Sequence, residues 1–337
     1  MPIRISRPVR AVAALVMVTA LTAAASGCGL KAASQFVPDA GPGSIKPIPA
    51  LKDVPAVVGS KDFTEQLILG KMATIALNVA GAEVVDNTNI LGSNSARQAL
   101  ERNSINLYWE YTGTSWISYN QKTKPIPDSQ KMWEAVQKLD GEQNNVVWLP
   151  PAELNNTYAF AIRSEKAKEL GIEKLTDMAK LPADELTFCV ESEFASRDDG
   201  FEGVLKHYGI PLGKTVSRDN VRTMDVGVVY DATDKGTCNF GEVFTTDGRI
   251  GGLGLTVLED DKDFFPKYNV AMTINSDWYA ENPEAKELFE PLTEALTNDE
   301  MLKLTEQVDI DGRDPANVAL DWMVDRGFVT EGGPGAG

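Results

Sequence analysis

The sequence contains a single histidine, His207, and only three cysteines among its 337 residues. His207 lies on a segment with helical spacing, and no Cys, Asp or Glu stands near it at the spacing of a metal site, so a surface or partly buried helix residue is the expected role. The chain also lacks a nucleophile elbow, a zincin motif and a complete phosphate-binding loop. We therefore expect neither enzymatic activity nor a metal or other cofactor.

Positive charge is scarce as well. The chain has 32 lysines and arginines against 49 aspartates and glutamates, which gives a net charge of −17 at pH 7. Removal of residues 1–27, which contain three arginines and no acid, brings the charge of the remainder to −20. Phosphate backbones are bound through Lys and Arg, so a chain this acidic is not expected to bind nucleic acid.

Long hydrophobic runs are also rare, and the one that is present stands at the N-terminus. It covers residues 11–25, follows three arginines and leads through small residues into Cys28. This pattern predicts a secretory signal peptide over residues 1–27, and the small residues before the cysteine resemble a bacterial lipoprotein signal. We expect cleavage before Cys28, lipid modification of that cysteine, and a soluble body anchored on the extracytoplasmic face of the cell membrane. Ala25 stands where the lipoprotein pattern more often has Leu, so plain secretion and an uncleaved anchor are the alternatives.

The segment after the cysteine is rich in proline and glycine. Such a composition stays extended and does not build a hydrophobic core. We therefore expect a flexible tether over residues 28–55, and we expect residues 331–337 to form a disordered tail.

The segment between these ends is long enough for two lobes. Residues 56–330 exceed what one hydrophobic core usually serves. They alternate strand patterns with helical patterns, and this order predicts an α/β fold with mostly parallel sheets covered by helices. We assign residues 56–156 to the first lobe, 157–258 to the second, and 259–330 to a return crossing whose C-terminal helices pack on the first lobe. The lobes are thus expected to be joined by two crossing segments.

Two cysteines remain besides Cys28. Cys189 and Cys238 both fall in the predicted second lobe. In an oxidising compartment an even pair predicts a disulfide, and two buried thiols are the alternative.

The first candidate site residues follow strands of the predicted first lobe. Lys61 comes after the strand pattern at residues 56–59, and Tyr111 comes after the one at 105–109. In open α/β sheets, ligands bind beyond the carboxyl ends of the strands. Lys61 and Tyr111 are therefore expected at a ligand crevice, whereas Trp109 belongs to the strand and is expected to pack.

Aromatic residues recur at such positions in both lobes. Tyr111, Tyr158, Phe244 and Tyr268 each fall at a lobe edge or on a crossing segment. Aromatic faces that converge form a cage that attracts a quaternary ammonium cation, and each face contributes about 0.5–2 kcal/mol when desolvated. We expect a cage without acids, which excludes metal ions. Ordinary core packing is the alternative for each ring.

Two isolated cations and a hydroxyl complete the predicted site. Lys61, Arg197 and Thr114 are expected to meet a carboxylate at the other end of such a ligand. Together with the rings, they predict a site for a small zwitterion.

Five motifs then occur in order: KDFTEQ at residues 61–66, EYTGT at 110–114, NNTYA at 155–159, TTDGRI at 245–250, and LEDDK with FFP at 258–266. In residues and order they resemble the glycine betaine/choline/carnitine substrate-binding proteins of osmoprotectant ABC transporters, over about residues 54–329. The resemblance implies a type II periplasmic-binding-protein fold that closes on a compatible solute between its lobes. It also implies delivery to a membrane permease driven by a cytoplasmic ATPase.

The resemblance assigns ligand-binding residues one by one. Cage tyrosines of that family fall on Tyr111 and Tyr158, and Asn156 is available to point its backbone carbonyl at the ammonium group. The full set that it implies is Lys61, Tyr111, Thr114, Asn156, Tyr158, Arg197, Phe244 and Tyr268.

Two features bear on the choice of solute. The family often has Tyr where this chain has Phe244, so the ring face is kept and a hydroxyl is lost, with Tyr230 as an alternative for this position. Family members with an acid near Thr114 favour choline, and none stands there, which favours a betaine-like zwitterion. We expect a monomeric binding protein. A ligand-sensing module on the same fold, with a different small zwitterion, is the alternative.

Overall fold

A computed structural model describes residues 36–332 of the chain. The predicted signal peptide at 1–27, the predicted lipidation site Cys28 and residues 333–337 of the predicted tail lie outside the described residues. Within 36–332, none of the helices combines the length and the apolar character that crossing a bilayer requires.

Short strands alternate with helices along this range. The strands are β1 (Ala40–Pro42), β2 (Pro55–Lys61), β3 (Glu83–Ile90), β4 (Leu107–Tyr111), β5 (Val146–Trp148), β6 (Tyr158–Arg163), β7 (Phe188–Val190), β8 (Val221–Thr223), β9 (Phe240–Phe244), β10 (Leu255–Val257), β11 (Val270–Asn275) and β12 (Val329–Glu331). The α-helices are α1 (Thr64–Ala80), α2 (Ser93–Glu101), α3 (Thr112–Thr114), α4 (Ser129–Gln143), α5 (Ser164–Leu170), α6 (Ser192–Ser196), α7 (Phe201–His207), α8 (Val226–Asp234), α9 (Arg249–Gly252), α10 (Ser276–Glu281), α11 (Lys286–Ala295), α12 (Asn298–Asp309) and α13 (Pro315–Asp325).

Two five-stranded sheets form the two lobes. The first has the order β3-β2-β4-β11-β5 and the second has the order β10-β6-β9-β7-β8. The chain passes from the first sheet to the second between β5 and β6, and it returns between β10 and β11. The predicted α/β architecture of two lobes with two crossing segments is therefore confirmed.

Each sheet contains one reversed strand, and that strand is the one that directly follows a crossing. β6 runs antiparallel to β9 and β10, and β11 runs antiparallel to β4 and β5. The pairs of β2 with β3 and β4, and of β7 with β8 and β9, are parallel. The parallel strands place their carboxyl ends at one edge of each sheet, where loops carry the candidate site residues.

The helix α1 is the centre of the first lobe. Most of its residues are buried, because it is apolar on nearly all sides and has neighbours on several of them. It ends where Gly81 adopts a left-handed conformation with φ of 101°, which glycine takes without a steric penalty. The C-terminal helices α11, α12 and α13 pack against α1.

The described part of the predicted tether is ordered, so that prediction is wrong for residues 36–55. β1 pairs antiparallel with β12, and Leu51 and Ile45 are buried in the core of the first lobe. Proline and glycine exclude a long helix here, but they allow an extended edge strand in close contact with its neighbour. A Cβ on Gly43 would lie 2.6 Å from the backbone of Phe328, so only glycine permits this approach. β12 likewise places Glu331, the first residue of the predicted disordered tail, in a strand.

α4 and β5 are among the elements that the sequence pattern did not predict. The helix α4 begins after Asp128, whose side chain accepts a hydrogen bond from the Lys131 N–H as an N-cap, and the strand β5 follows it. β5 pairs with β11, which arrives more than a hundred residues later in the chain. A strand of three residues with a distant partner has too little local pattern to be recognised.

Cys189 and Cys238 form a disulfide, with their Cα atoms 5.7 Å apart. Cys189 lies on β7, and Cys238 lies just before β9, which is the parallel neighbour of β7. The bond ties together the middle of the second sheet, and neither cysteine lines the cavity described next.

Candidate ligand-binding site

A cavity of about 690 Å³ lies between the two lobes. Strand ends and helix starts from both sheets contribute to its walls, as the topology predicts. Seven of the eight predicted ligand-binding residues line it: Lys61, Tyr111, Thr114, Asn156, Tyr158, Phe244 and Tyr268. Arg197 does not line it and instead borders an adjoining cavity of about 370 Å³.

Aromatic rings from both lobes are in contact along this cavity. The ring centroid of Phe244 lies 5.4 Å from that of Tyr158 and 5.0 Å from that of Phe63. Tyr158 in turn lies 5.4 Å from Tyr268, and Phe63 lies 6.1 Å from Tyr111. Tyr111, Tyr158, Phe244 and Tyr268 thus line one cavity, and Phe63 connects the tyrosine of the first lobe to the rings of the second.

Phe63 is the ring that was not predicted. It is the N-cap residue of α1 and is half-buried in the cavity wall. It stands two residues after Lys61, in the loop that was already assigned to the ligand crevice. Its position directly after a strand end was the sequence feature that could have identified it as a residue of the site.

Tyr111 is fixed by hydrogen bonds on the side away from the cavity. Its hydroxyl donates to Glu65 Oε1 at 2.6 Å and accepts from Gln66 Nε2 at 3.0 Å. Burial and the neighbouring Glu65 raise the pKa of Tyr111 well above its ordinary value, so the hydroxyl stays protonated. These bonds orient the ring and leave it as a face on the cavity.

Lys61 is already paired in this structure. Its Nζ lies 2.6 Å from Glu110 Oε1 and 5.0 Å from the centroid of the Tyr111 ring. The Lys61 and Glu110 side chains are 4% and 0% exposed. A buried ammonium needs a close counter-charge, and β4 supplies one directly beside Lys61 on β2. Lys61 thus lines the cavity as a paired cation, and its contact with a ligand carboxylate stays a prediction.

Tyr108 belongs to the same buried network. Its hydroxyl donates to Glu110 Oε2 at 2.5 Å, and that of Tyr119 donates to the same oxygen at 2.8 Å. Trp109 is buried and donates from Nε1 to the Leu69 carbonyl at 3.0 Å, so it packs as predicted.

Arg197 supports the rings from behind and does not face the cavity. Its Nε and Nη2 bond the two carboxylate oxygens of Asp199 at 2.8 and 2.6 Å. The guanidinium carbon lies 5.4 Å from the centroid of Tyr158 and 6.0 Å from that of Tyr268, whose hydroxyl also donates to Asp199. The planar guanidinium fits a bidentate carboxylate and a ring face together. The predicted contact of Arg197 with a ligand carboxylate is thus replaced by contacts that orient two cavity tyrosines.

Phe244 and Tyr230 take different places. Phe244 lines the cavity, whereas Tyr230 is buried behind it beneath Arg249, whose guanidinium carbon lies 4.2 Å from the ring centroid. The Tyr230 hydroxyl accepts a hydrogen bond from the Phe244 N–H at 2.9 Å. Tyr230 therefore holds the backbone of Phe244 and does not replace its ring.

Asn156 presents an unpaired oxygen. It is 6% exposed, and its Oδ1 has no hydrogen-bond partner among the described residues. Its backbone N–H is used in a bond of 3.2 Å to the Tyr268 carbonyl. Asn156 lines the cavity, so this oxygen is an acceptor without a partner in the cavity wall. The role expected of its backbone carbonyl stays a prediction.

The expected absence of acids from the cavity is wrong. Asp62, Glu191, Glu193 and Asp225 line it together with the rings. Glu191 and Glu193 follow β7 directly, in the loop and short helix that lead to Arg197. The same strand-end argument that selected Lys61 and Tyr111 could have selected them. Among residues 36–332, no group of three or more His, Cys, Asp and Glu side chains is arranged to hold a metal ion.

Comparison with known proteins places these features in context. Residues 54–325 match the family model described as the substrate binding domain of ABC-type glycine betaine transport system. A glycine-betaine-binding protein of Pseudomonas aeruginosa is 36% identical, over 83% of this chain and 90% of that protein. The Helicobacter pylori protein named ergothioneine transport permease/ergothioneine binding protein EgtU is 32% identical, over 81% of this chain and 48% of that protein. A crystal structure described as a glycine betaine/carnitine/choline ABC transporter has a TM-score of 0.67 and 27% identity, over 82% of this chain and 99% of that chain.

Proposed function

This chain belongs to the substrate-binding domains of ABC-type glycine betaine transport systems, and we propose that it captures a quaternary-ammonium solute in the cavity between its lobes. Glycine betaine, carnitine and choline-like compounds are the solutes in view, since they share a trimethylammonium group. The lobes close on the solute, and the closed form delivers it to the permease of an importer driven by a cytoplasmic ATPase.

The family relation itself gives the coarser statements. The chain is a substrate-binding transport protein with the type II periplasmic-binding-protein fold, and it is not an enzyme. Proteins of this family act outside the cytoplasm as the binding components of ABC importers.

The observation that carries the proposal is the convergence of rings from both lobes on one cavity. Tyr111 and Phe63 come from the first lobe, Tyr158 and Phe244 come from the second, and Tyr268 comes from the return crossing. Each ring face offers negative charge density to a cation, at about 0.5–2 kcal/mol per face once water is excluded. A trimethylammonium group has no N–H to donate, so faces suit it better than carboxylates alone. The unpaired Asn156 Oδ1 adds an oxygen dipole for the same cation.

Thr114 and Lys61 complete the proposed site. Thr114 is buried in the cavity wall, where its hydroxyl is available to the polar end of the solute. Lys61 acts through its pair with Glu110, which holds its ammonium near the Tyr111 ring.

Titration calorimetry tests the function. The purified protein is titrated with glycine betaine, carnitine, choline and ergothioneine, the last because a relative carries that name. Binding of at least one of these compounds is expected, and leucine and glutamate serve as controls that should not bind. Failure of all the quaternary ammonium compounds would refute the proposal.

The anchor is a separate part of the proposal. Arginines followed by an apolar run and Cys28 favour a lipid-modified N-terminus, which holds a monomeric binding protein at the extracytoplasmic face of the membrane. Labelling of cells with a radioactive fatty acid should mark the wild-type protein and not Cys28→Ser. Equal labelling of both would contradict the anchor and leave the binding function untouched.

A further inference from the structure

Glu193 connects the two lobes beside the cavity. Its Oε2 accepts a hydrogen bond of 2.9 Å from the N–H of Ser93, the first residue of α2 in the opposite lobe. Its Oε1 accepts one of 3.2 Å from Arg197 in its own lobe. Burial opposes ionisation, but Lys61, Arg197 and the Ser93 N–H outweigh it and lower the pKa of Glu193. At neutral pH a charged carboxylate therefore occupies the N-terminus of α2, where an anionic ligand group would otherwise be attracted.

The cations at this site are engaged by protein carboxylates. Lys61 is paired with Glu110, and Arg197 is held by Asp199 and Glu193. A carboxylate that entered the cavity would have to compete for cations that are already paired and buried.

The charges of the cavity wall have one dominant sign. Among the described residues that line it, Lys61 is the only lysine or arginine, against the carboxylates of Asp62, Glu191, Glu193 and Asp225. Asp225 stands at the N-terminus of α8, so the starts of both α2 and α8 face the cavity beside an acid. The unpaired oxygen of Asn156 adds a further acceptor to the same wall. Such a wall attracts a cation and repels an anion.

From this arrangement we infer that Glu193 selects the charge of the ligand, so that the cavity takes a quaternary ammonium solute whose other end is uncharged in preference to a zwitterion. This inference rests on the proposed function and narrows its ligand class. It also replaces the expectation of a betaine-like zwitterion, which depended on the absence of an acid near Thr114 in the sequence. Glu193 lies about eighty residues from Thr114 along the chain, and the fold places it in the wall of the same cavity from the opposite lobe.

Choline and glycine betaine form the test pair, because they share the trimethylammonium group and differ in a hydroxyl against a carboxylate. Calorimetry measures the ratio of their affinities for the wild type, for Glu193→Gln and for Glu202→Gln. Glu193→Gln removes the charge and keeps an oxygen that can accept from the Ser93 N–H. Glu202→Gln removes one charge from the same lobe at an exposed side chain, away from the cavity. Carnitine and its methyl ester repeat the comparison in a longer ligand.

The wild type is expected to bind choline at least about tenfold more tightly than glycine betaine, and carnitine methyl ester more tightly than carnitine. Glu193→Gln should reduce that preference by about tenfold, whereas Glu202→Gln should leave it unchanged. Tighter binding of glycine betaine by the wild type would overturn the inference while leaving the proposed function intact. An equal loss of affinity for both ligands in Glu193→Gln would also overturn it, by showing that Glu193 acts on closure and not on charge. The wild-type ratio decides the ligand class even where the variant does not fold. Failure of every compound to bind would instead refute the proposed function.

Discussion

The hydroxyl of Thr246 donates a 2.6 Å hydrogen bond to Glu65 Oε2, and this bond joins a loop of the second lobe to the first helix of the first. The other carboxyl oxygen, Oε1, accepts from the Tyr111 hydroxyl at the same distance. One buried carboxyl group thus links a cavity ring to the opposite lobe. Its protonation state therefore bears on stability and on the position of the ring.

Glu65 makes stability depend on pH. Burial raises its pKa from 4.5 to about 7, against the opposing effect of the Thr246 and Tyr111 hydroxyls. Between these values the folded protein holds a proton that the unfolded chain does not. The Glu65 contribution to stability is therefore fully present below the unfolded pKa and is lost as pH rises through the folded pKa.

The free energy of unfolding of the wild type should fall between about pH 5 and pH 8 as Glu65 loses its proton. That of Glu65→Gln, which is neutral at every pH, should fall by about 3 kcal/mol less over the same range. Urea unfolding of both proteins at several pH values measures this difference. Glu242, whose pKa burial raises to about 8, is present in both proteins and cancels from the comparison. Parallel stability curves would show that Glu65 has an ordinary pKa.

Tyr111 is expected to act through its ring. Tyr111→Ala should lower the affinity for a quaternary ammonium solute at least about 100-fold, because a face of the cavity is lost. Tyr111→Phe should change the affinity less than about threefold, yet it removes the hydrogen bonds that the hydroxyl makes with Glu65 and Gln66 and should cost about 1–3 kcal/mol of stability. Calorimetry and thermal unfolding separate the two effects. If Phe lowers the affinity as much as Ala, the hydroxyl is needed for binding.

Phe63 is expected to contribute a cation-binding face as well. Phe63→Leu keeps an apolar side chain of similar size and removes the ring, so the affinity should fall about tenfold while thermal stability changes little. Phe265→Leu is the matched control, because Phe265 lies 6.3 Å from Tyr158 without lining the cavity. Equal effects of the two substitutions would mean that Phe63 only packs.

Arg197 is expected to position rings. Arg197→Lys keeps the charge but loses the planar contact with Tyr158 and Tyr268 and the bidentate bond to Asp199. The affinities for choline and for glycine betaine should therefore fall together, by about tenfold. A loss restricted to glycine betaine would show instead that Arg197 binds the ligand carboxylate.

Much of the ring geometry could be read from the sequence. Tyr111 ends β4, so the local pattern was sufficient to place it at the edge where the parallel strands have their carboxyl ends. Tyr158 begins β6, the reversed strand, whose amino end lies at the corresponding edge of the second sheet. Phe63 satisfied the same rule and was overlooked.

The charge pairing of the site could not be read in this way. Lys61 and Glu110 meet because β2 and β4 are neighbours in the sheet, and nothing local to either residue records that contact. Glu193 reaches Ser93 only when the lobes face each other, which depends on the whole fold. The order of residues 40–55 likewise depends on β12, at the far end of the chain.

The most direct measurement compares the affinity for choline with that for dimethylbutanol, its neutral carbon isostere. They have nearly the same shape and differ in the charge of the trimethylammonium group, which a tert-butyl group replaces. If aromatic faces and acceptor oxygens hold a cation between the lobes, titration calorimetry should show choline binding at least about 100-fold more tightly than the isostere. Equal affinity for the two compounds would contradict a cation-binding cage, because it would show that the cavity recognises apolar shape alone.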